Sequence, residues 1–194
     1  MQFEYADGAT PLDADLIAGL IPGLSTQAEL NEFEAYNIAT AMFWAQRSRR
    51  LKKNLLSVEG LCLLHRRMFD QTWRWAGQFR QVDTNIGVSW YLAPAQTHAL
   101  CCDVLFQVEH AVYTWDELAV RFHHRLVSIH PFPNGNGRHA RLATDLLLEY
   151  HGQQAFTWGA VSLVANSSTR RAYLDSLREA DNGNIDDLMN FVRS

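Results

Sequence analysis

Along most of the chain apolar residues recur every three or four positions, the spacing of amphipathic helices. The first long helix is predicted to start at Thr26. Thr26 and Glu29 have the spacing of a capping box, and Leu30, Phe33, Ile38 and Ala41 follow on roughly one face. A second begins near Ser57, with Leu61, Leu64 and Met68 three and four apart. A third follows Pro94 and carries Leu100, Val104, Leu105, Val108 and Val112. Another capping box, Thr114 to Glu117, opens a fourth, whose buried stripe is Leu118, Phe122, Leu126 and Ile129. That helix has to stop at His130, because Pro131 disfavours helical backbone in the residue before it. After a short turn a fifth helix is expected over 136–150, with Gly152 placed to end it, and two more over 169–180 and 185–192.

One stretch departs from this period. Residues 78–92 are rich in Val, Ile, Trp and Tyr, with Asn85-Ile86-Gly87 near the middle, which predicts a short β-hairpin or extended flap. No repeat, low-complexity tract or linker breaks the pattern. The expected architecture is therefore one mainly α domain over 1–194, a helical bundle with a single hairpin flap; 1–25 would be an N-terminal extension and 26–194 the helical core.

Composition narrows the function classes. With 194 residues, 47% of them hydrophobic, the chain can bury roughly 70% of its unfolded surface, which excludes the disordered classes. A net charge of −4 argues against nucleic acid as the main partner, since that affinity rests on neutralising phosphates. The basic run at 47–53 reads as a solvated helix end. No apolar stretch reaches the length of a membrane span, and the first residues carry acids where a secretory leader carries bases. A soluble, cytoplasmic protein is expected. Cys62, Cys101 and Cys102 are odd in number and lack a CxxC spacing, so they are expected to be reduced, structural thiols.

Candidate chemistry is concentrated between His130 and Arg141. Gly135, Asn136 and Gly137 fall just before or within the first turn of a helix, where free N–H groups and the helix dipole favour an anion. Glycine lets that backbone approach a ligand closely and form a nest of N–H donors. Arg138 and Arg141, three residues apart, add two cations on neighbouring positions of one face. Two cations at the positive end of a helix oppose its dipole unless an anion sits between them. His130, at the mouth of the same loop, suits proton removal from a hydroxyl beside bound phosphates. A zinc centre built on His123, His124, His130 and His139 is the poorer alternative. Adjacent histidines on a helix point about 100° apart, and no acid or Cys completes the set.

The run from His130 to Arg141 resembles the signature of the Fic family, His-Pro-Phe-x-Asp/Glu-Gly-Asn-Gly-Arg-x-x-Arg, and meets eight of its nine specified positions. Trp73 to Gly77 and Asn85 to Val88 are similar to the Fic subgroup called mobile mystery protein B. The resemblance covers the chain from about Glu29 onward. It implies a protein adenylyltransferase: His130 would deprotonate a Ser, Thr or Tyr hydroxyl of a target protein, which would attack the α-phosphate of ATP and release pyrophosphate. Gly135, Asn136 and Gly137 would hold the α- and β-phosphates and Arg138 the β- and γ-phosphates. Arg141 would support that grip or pair with a regulatory acid. Phe132 would anchor the loop in the core. Thr84, Asn85, Ile86, Gly87 and Val88 would form a flap that pairs with a target strand, and Tyr173 would border the adenine.

Asn134 is the departure. The family places Asp or Glu there as a ligand of the Mg²⁺ that bridges the phosphates, and an amide removes a formal charge that this hard cation favours. Three readings follow: Mg²⁺ held mostly by ATP, a Doc-like phosphoryl transfer, or a nucleotide-binding regulator without turnover. The resemblance also implies inhibition, either by an internal glutamate or by a separate antitoxin-like partner. Ser25 to Glu29 has part of the internal motif, although the capping box accounts for Thr26 and Glu29 without it.

Overall fold

The computed structural model describes residues 14–24, 26–159 and 168–194. A short helix α1 (Ala14–Ile17) leads into α2 (Gln27–Arg47), α3 (Arg49–Asn54) and α4 (Val58–Phe69). After the irregular stretch come α5 (Ala93–Glu109), α6 (Trp115–Ile129) and α7 (Asn136–Tyr150), and then α8 (Ser168–Asp181) and α9 (Asp186–Val192). The starts follow local capping. Thr26 accepts from the Glu29 N–H and its own N–H donates to the Glu29 carboxylate, closing the predicted box. Ser57 caps α4 through the Gly60 N–H at 2.9 Å, and Thr114 caps α6 through the Glu117 N–H. The basic run divides at Ser48, whose hydroxyl accepts from the Leu51 N–H, so it forms the separate helix α3 rather than the end of α2.

Helix α2 packs along α4, α5 along α6, and α6 along α7. A larger apolar core lies among α2, α4, α5, α6 and α7, built on residues such as Leu64, Phe69, Leu100, Phe122 and Leu146. A smaller one joins α6 and α7 to the C-terminal helices through Val120, Leu148, Trp158, Leu177 and Leu188. Helices α6 and α7 thus face both, and the turn between them is held from both sides. The segment before α2 is tied down by Ile21 N–H to Thr72 O at 2.9 Å and Trp75 Nε1–H to Leu16 O. Cys101 is buried and Cys102 exposed, and all three thiols are free. Among the described residues no helix is long and apolar enough to cross a membrane.

Two expectations fail. On α2 the buried stripe is Leu30, Glu34, Asn37, Ala41 and Ala45, whereas Phe33 and Ile38 are only half-buried. The helix is rotated to bring two polar residues inward. The β-hairpin is also absent: among the described residues the only β contact is an isolated bridge between Leu20 and Trp73. Residues 78–89 form bends and irregular backbone, followed by a 3₁₀ turn at Trp90–Leu92. An arginine side chain takes the place of a ladder. Arg80, 2% exposed, donates to the carbonyls of His130 (2.6 Å), Val82 (3.0 Å) and Val88, so one guanidinium satisfies the backbone groups that a partner strand would have paired.

Candidate active site

The α6–α7 turn carries the candidate chemistry. His130 caps α6 with φ 54° and ψ 60°, a left-handed conformation that turns the chain sharply before Pro131. Phe132 is fully buried and stacks on His65, with ring centroids 3.8 Å apart. Asn136 brackets the same residue: its Oδ1 accepts from the Phe132 N–H at 2.9 Å, and its Nδ2 donates to the Phe132 carbonyl at 2.7 Å. The Asn136 side chain therefore fixes the turn, leaving only its backbone N–H for a ligand. Gly135 starts α7 at φ 77°, and a Cβ there would lie 2.6 Å from the Phe69 ring, so both conformation and space require glycine.

Helix α7 makes its first backbone bond from His139 N–H to Gly135 O. The N–H groups of Asn136, Gly137 and Arg138 are consequently the donors that a helix start offers to an anion. Arg141 lies over this point, its Nη1 3.7 Å from where a Gly137 Cβ would be. Arg138 reaches the other way. It rests over the Phe69 ring and forms a 2.6 Å ion pair with Glu34, whose second oxygen accepts from Trp73 Nε1 at 2.7 Å.

His130 is buried, and burial pushes its imidazole down to about 4; the nearby Arg80 guanidinium acts in the same direction and a hydrogen bond to the Val127 carbonyl opposes both. At neutral pH the ring is uncharged and able to accept a proton. The flap lies directly against it. Arg80 N–H donates to Pro131 O at 3.0 Å and Val88 N–H to Ile129 O at 3.4 Å, and a Cβ on Gly87 would be 2.6 Å from the His130 Cβ. Asn85, Ile86 and Gly87 are exposed, while Thr84 and Val88 are half-buried.

The other predicted residues divide. Tyr173 is buried in the smaller core, its hydroxyl 2.9 Å from His123 Nε2 and its ring beneath the Arg141 guanidinium. Glu29 is in the capping box of α2, and Ser25 lies outside the described residues. Asn134 Oδ1 accepts from the Gly135 N–H at 2.6 Å. As a protein site for Mg²⁺ these residues do not fit: the amide is neutral and engaged, and among the described residues no group of three His, Cys, Asp or Glu side chains converges. Three participants escape periodicity and motif reasoning. Glu34 and His65 are polar residues on core-facing helix positions, a signal readable once the buried faces are known. Arg80 sits in an irregular segment that offers no such signal.

Residues 55–148 match the model of the Fic/DOC family. The chain resembles that family over the segment, from before α4 through most of α7, that carries the candidate site. It is 27% identical over 179 residues to the protein adenylyltransferase Fic of Nematostella vectensis, covering 89% of this chain but 39% of that protein. A shorter stretch of 36 residues is 58% identical to the uridine 5′-monophosphate transferase of Xanthomonas campestris, covering 19% of this chain and 7% of that one. Among solved structures, BepC of Bartonella tribocorum with bound AMPPNP superposes with a TM-score of 0.69 at 16% identity, covering 88% of each chain, a likeness of fold. The chain spans about two fifths of the Nematostella protein's length.

Proposed function

We propose that this chain is a protein adenylyltransferase that moves AMP from ATP onto a Ser, Thr or Tyr hydroxyl of another protein. The target oxygen forms a bond to the α-phosphorus as the bond to pyrophosphate breaks, and the hydroxyl proton passes to the neutral His130 ring. The N–H donors of Asn136, Gly137 and Arg138 face the developing phosphate charge, with Arg141 over them. Exposed backbone at 85–87, beside His130, presents the target segment to the base by main-chain pairing. Any Mg²⁺ would arrive on the nucleotide's own phosphates. Tyr173 borders the adenine only indirectly, by holding Arg141. The observation that carries this reading is the junction of a buried, uncharged His130 with the open start of α7 across one rigid turn.

The relatives' names support AMP as the transferred group, and the 36-residue match to a uridine 5′-monophosphate transferase favours testing a second nucleotide. Purified protein incubated with a cell lysate and with ATP labelled at the α- or γ-phosphate, or α-labelled UTP, separates the readings. Protein label from α-ATP that disappears in His130→Ala supports the proposal. Label from γ-ATP alone gives the Doc-like phosphotransferase, and α-UTP alone gives uridylyl transfer. No label from any of them, with ATP binding intact, leaves a nucleotide-binding regulator.

Restraint of the enzyme is assigned to Glu34 rather than Glu29, because Glu34 occupies the cation expected to hold the β- and γ-phosphates. A separate antitoxin-like protein is the alternative source of restraint, and co-purification of such a partner from the native host would favour it.

A further inference from the structure

His65 lies on α4, beneath the α6–α7 turn, and is completely buried. Both ring nitrogens are used. Nδ1 lies 2.9 Å from the Gly77 backbone nitrogen, whose N–H donates to it. A nitrogen that accepts cannot carry a proton, so the proton is on Nε2, which donates to the Asn134 carbonyl at 3.0 Å. The tautomer follows from the partners. The ring is also clamped by its faces: Phe132 stacks on it at 3.8 Å, Phe69 is tilted against it at 4.7 Å, and His139 meets it edge-on at 5.5 Å. The two hydrogen bonds and the Phe132 stack lead into the loop and the segment before the flap, while Phe69 and His139 belong to α4 and α7.

His65 ties the middle of the turn to α4 by a hydrogen bond, and Phe69 of the same helix packs against Gly135. Asn136 fixes Phe132 within the turn, and Arg80 holds the His130 carbonyl from the flap side. The Asn134–Gly135 peptide, from which the phosphate-binding backbone starts, is joined to α4 through His65.

We propose that His65 is a positioning residue of the transfer reaction: as its Nε2–H tautomer it bridges Gly77 to the Asn134 carbonyl and sets the height of the phosphate-binding turn relative to His130. It touches neither nucleotide nor target. The kinetic part of this proposal rests on the adenylyltransferase reading; the tautomer and the loop anchoring do not.

Three variants test it. In His65→Gln the side-chain amide can reach the Asn134 carbonyl as a donor. In His65→Asn the oxygen can accept from Gly77, but the side chain is too short for the loop. His65→Leu removes both. A displacement of the turn by about 1 Å is enough to cost on the order of a hundredfold in rate. The expected order for kcat is therefore wild type, then Gln within about threefold, then Asn and Leu lower by about a hundredfold, with Gln and Asn melting at similar temperatures.

Long-range proton–nitrogen spectra of labelled wild-type protein should show one unprotonated Nδ1 and one protonated Nε2 for His65. Amide exchange at Gly135 and His139, whose N–H groups are hydrogen-bonded within the turn, should quicken in Asn and Leu but not in Gln. The proposal is overturned if Nδ1 carries the proton, if loop exchange is the same in Gln and Asn, or if activity merely tracks melting temperature. Should the wild type transfer no nucleotide, the adenylyltransferase reading fails, while the spectra and exchange still decide the role of His65.

Discussion

A left-handed backbone at a non-glycine residue costs about 1–2 kcal/mol, and His130 adopts one at φ 54°. The buried contacts around it, Arg80 to its carbonyl and Gly87 against its Cβ, hold the residue there. Those same contacts deprive the ring of water and keep it neutral, down to about 4. An ordinary imidazole near 6.5 used as a base would retain only about a tenth of its rate at pH 5.5. A base held near 4 is still almost wholly unprotonated there. The kcat/KM for ATP, which reports the free enzyme, should therefore stay close to its neutral value at pH 5.5 while the protein remains folded by circular dichroism. A tenfold loss by that pH would show that the ring titrates like an exposed one. His130, Gly135 and the arginines were legible in the sequence because their chemistry is local, compressed into one turn. His65 and Arg80 were not, because their meaning lies in partners 69 and 50 residues away.

Helix starts were similarly legible at Thr26, Ser57 and Thr114, since a cap is decided within four residues. The facing of α2 was not. Its apolar pattern pointed through Phe33 and Ile38, but packing turns Glu34 and Asn37 inward, where Trp73, Arg138 and Thr72 satisfy them. The flap failed for a related reason: Val, Ile and aromatic content suggested strands, yet the buried Arg80 guanidinium supplied the hydrogen bonds. Inward polar groups on α2 have a functional consequence. Glu34→Gln keeps an oxygen to accept from Trp73 but gives up the charge that engages Arg138. Because that arginine is partly exposed, the gain is modest, with ATP binding expected to tighten by up to about tenfold. Titration calorimetry on the variant measures it directly; unchanged or weaker binding would show that Glu34 does not compete with the nucleotide.

Across the whole molecule the site and the stability share one group of imidazoles. His123 is pushed down to about 3, His130 and His139 to about 4, and His65 well below its usual value, in every case chiefly by burial. Each has a folded pKa below its unfolded value near 6.5. Between pH 6.5 and about 4 the unfolded chain therefore binds protons that the folded chain refuses, and stability falls as the pH is lowered through that window. Asp145 acts in the opposite sense. Burial raises it to about 6, so the folded form takes up a proton before the unfolded form does and offsets one of the four histidines. Each unbalanced proton contributes about 1.4 kcal/mol per pH unit, which makes the combined loss steep for a domain of marginal stability. Urea midpoints should be nearly level from pH 8 to 7 and drop clearly at 6 and again at 5.5. A level profile, or one rising on acidification, would mean that the imidazoles are hydrated in the folded protein. It would also remove the dry setting that keeps His130 neutral, so the stability curve bears on the chemistry as directly as any assay of transfer.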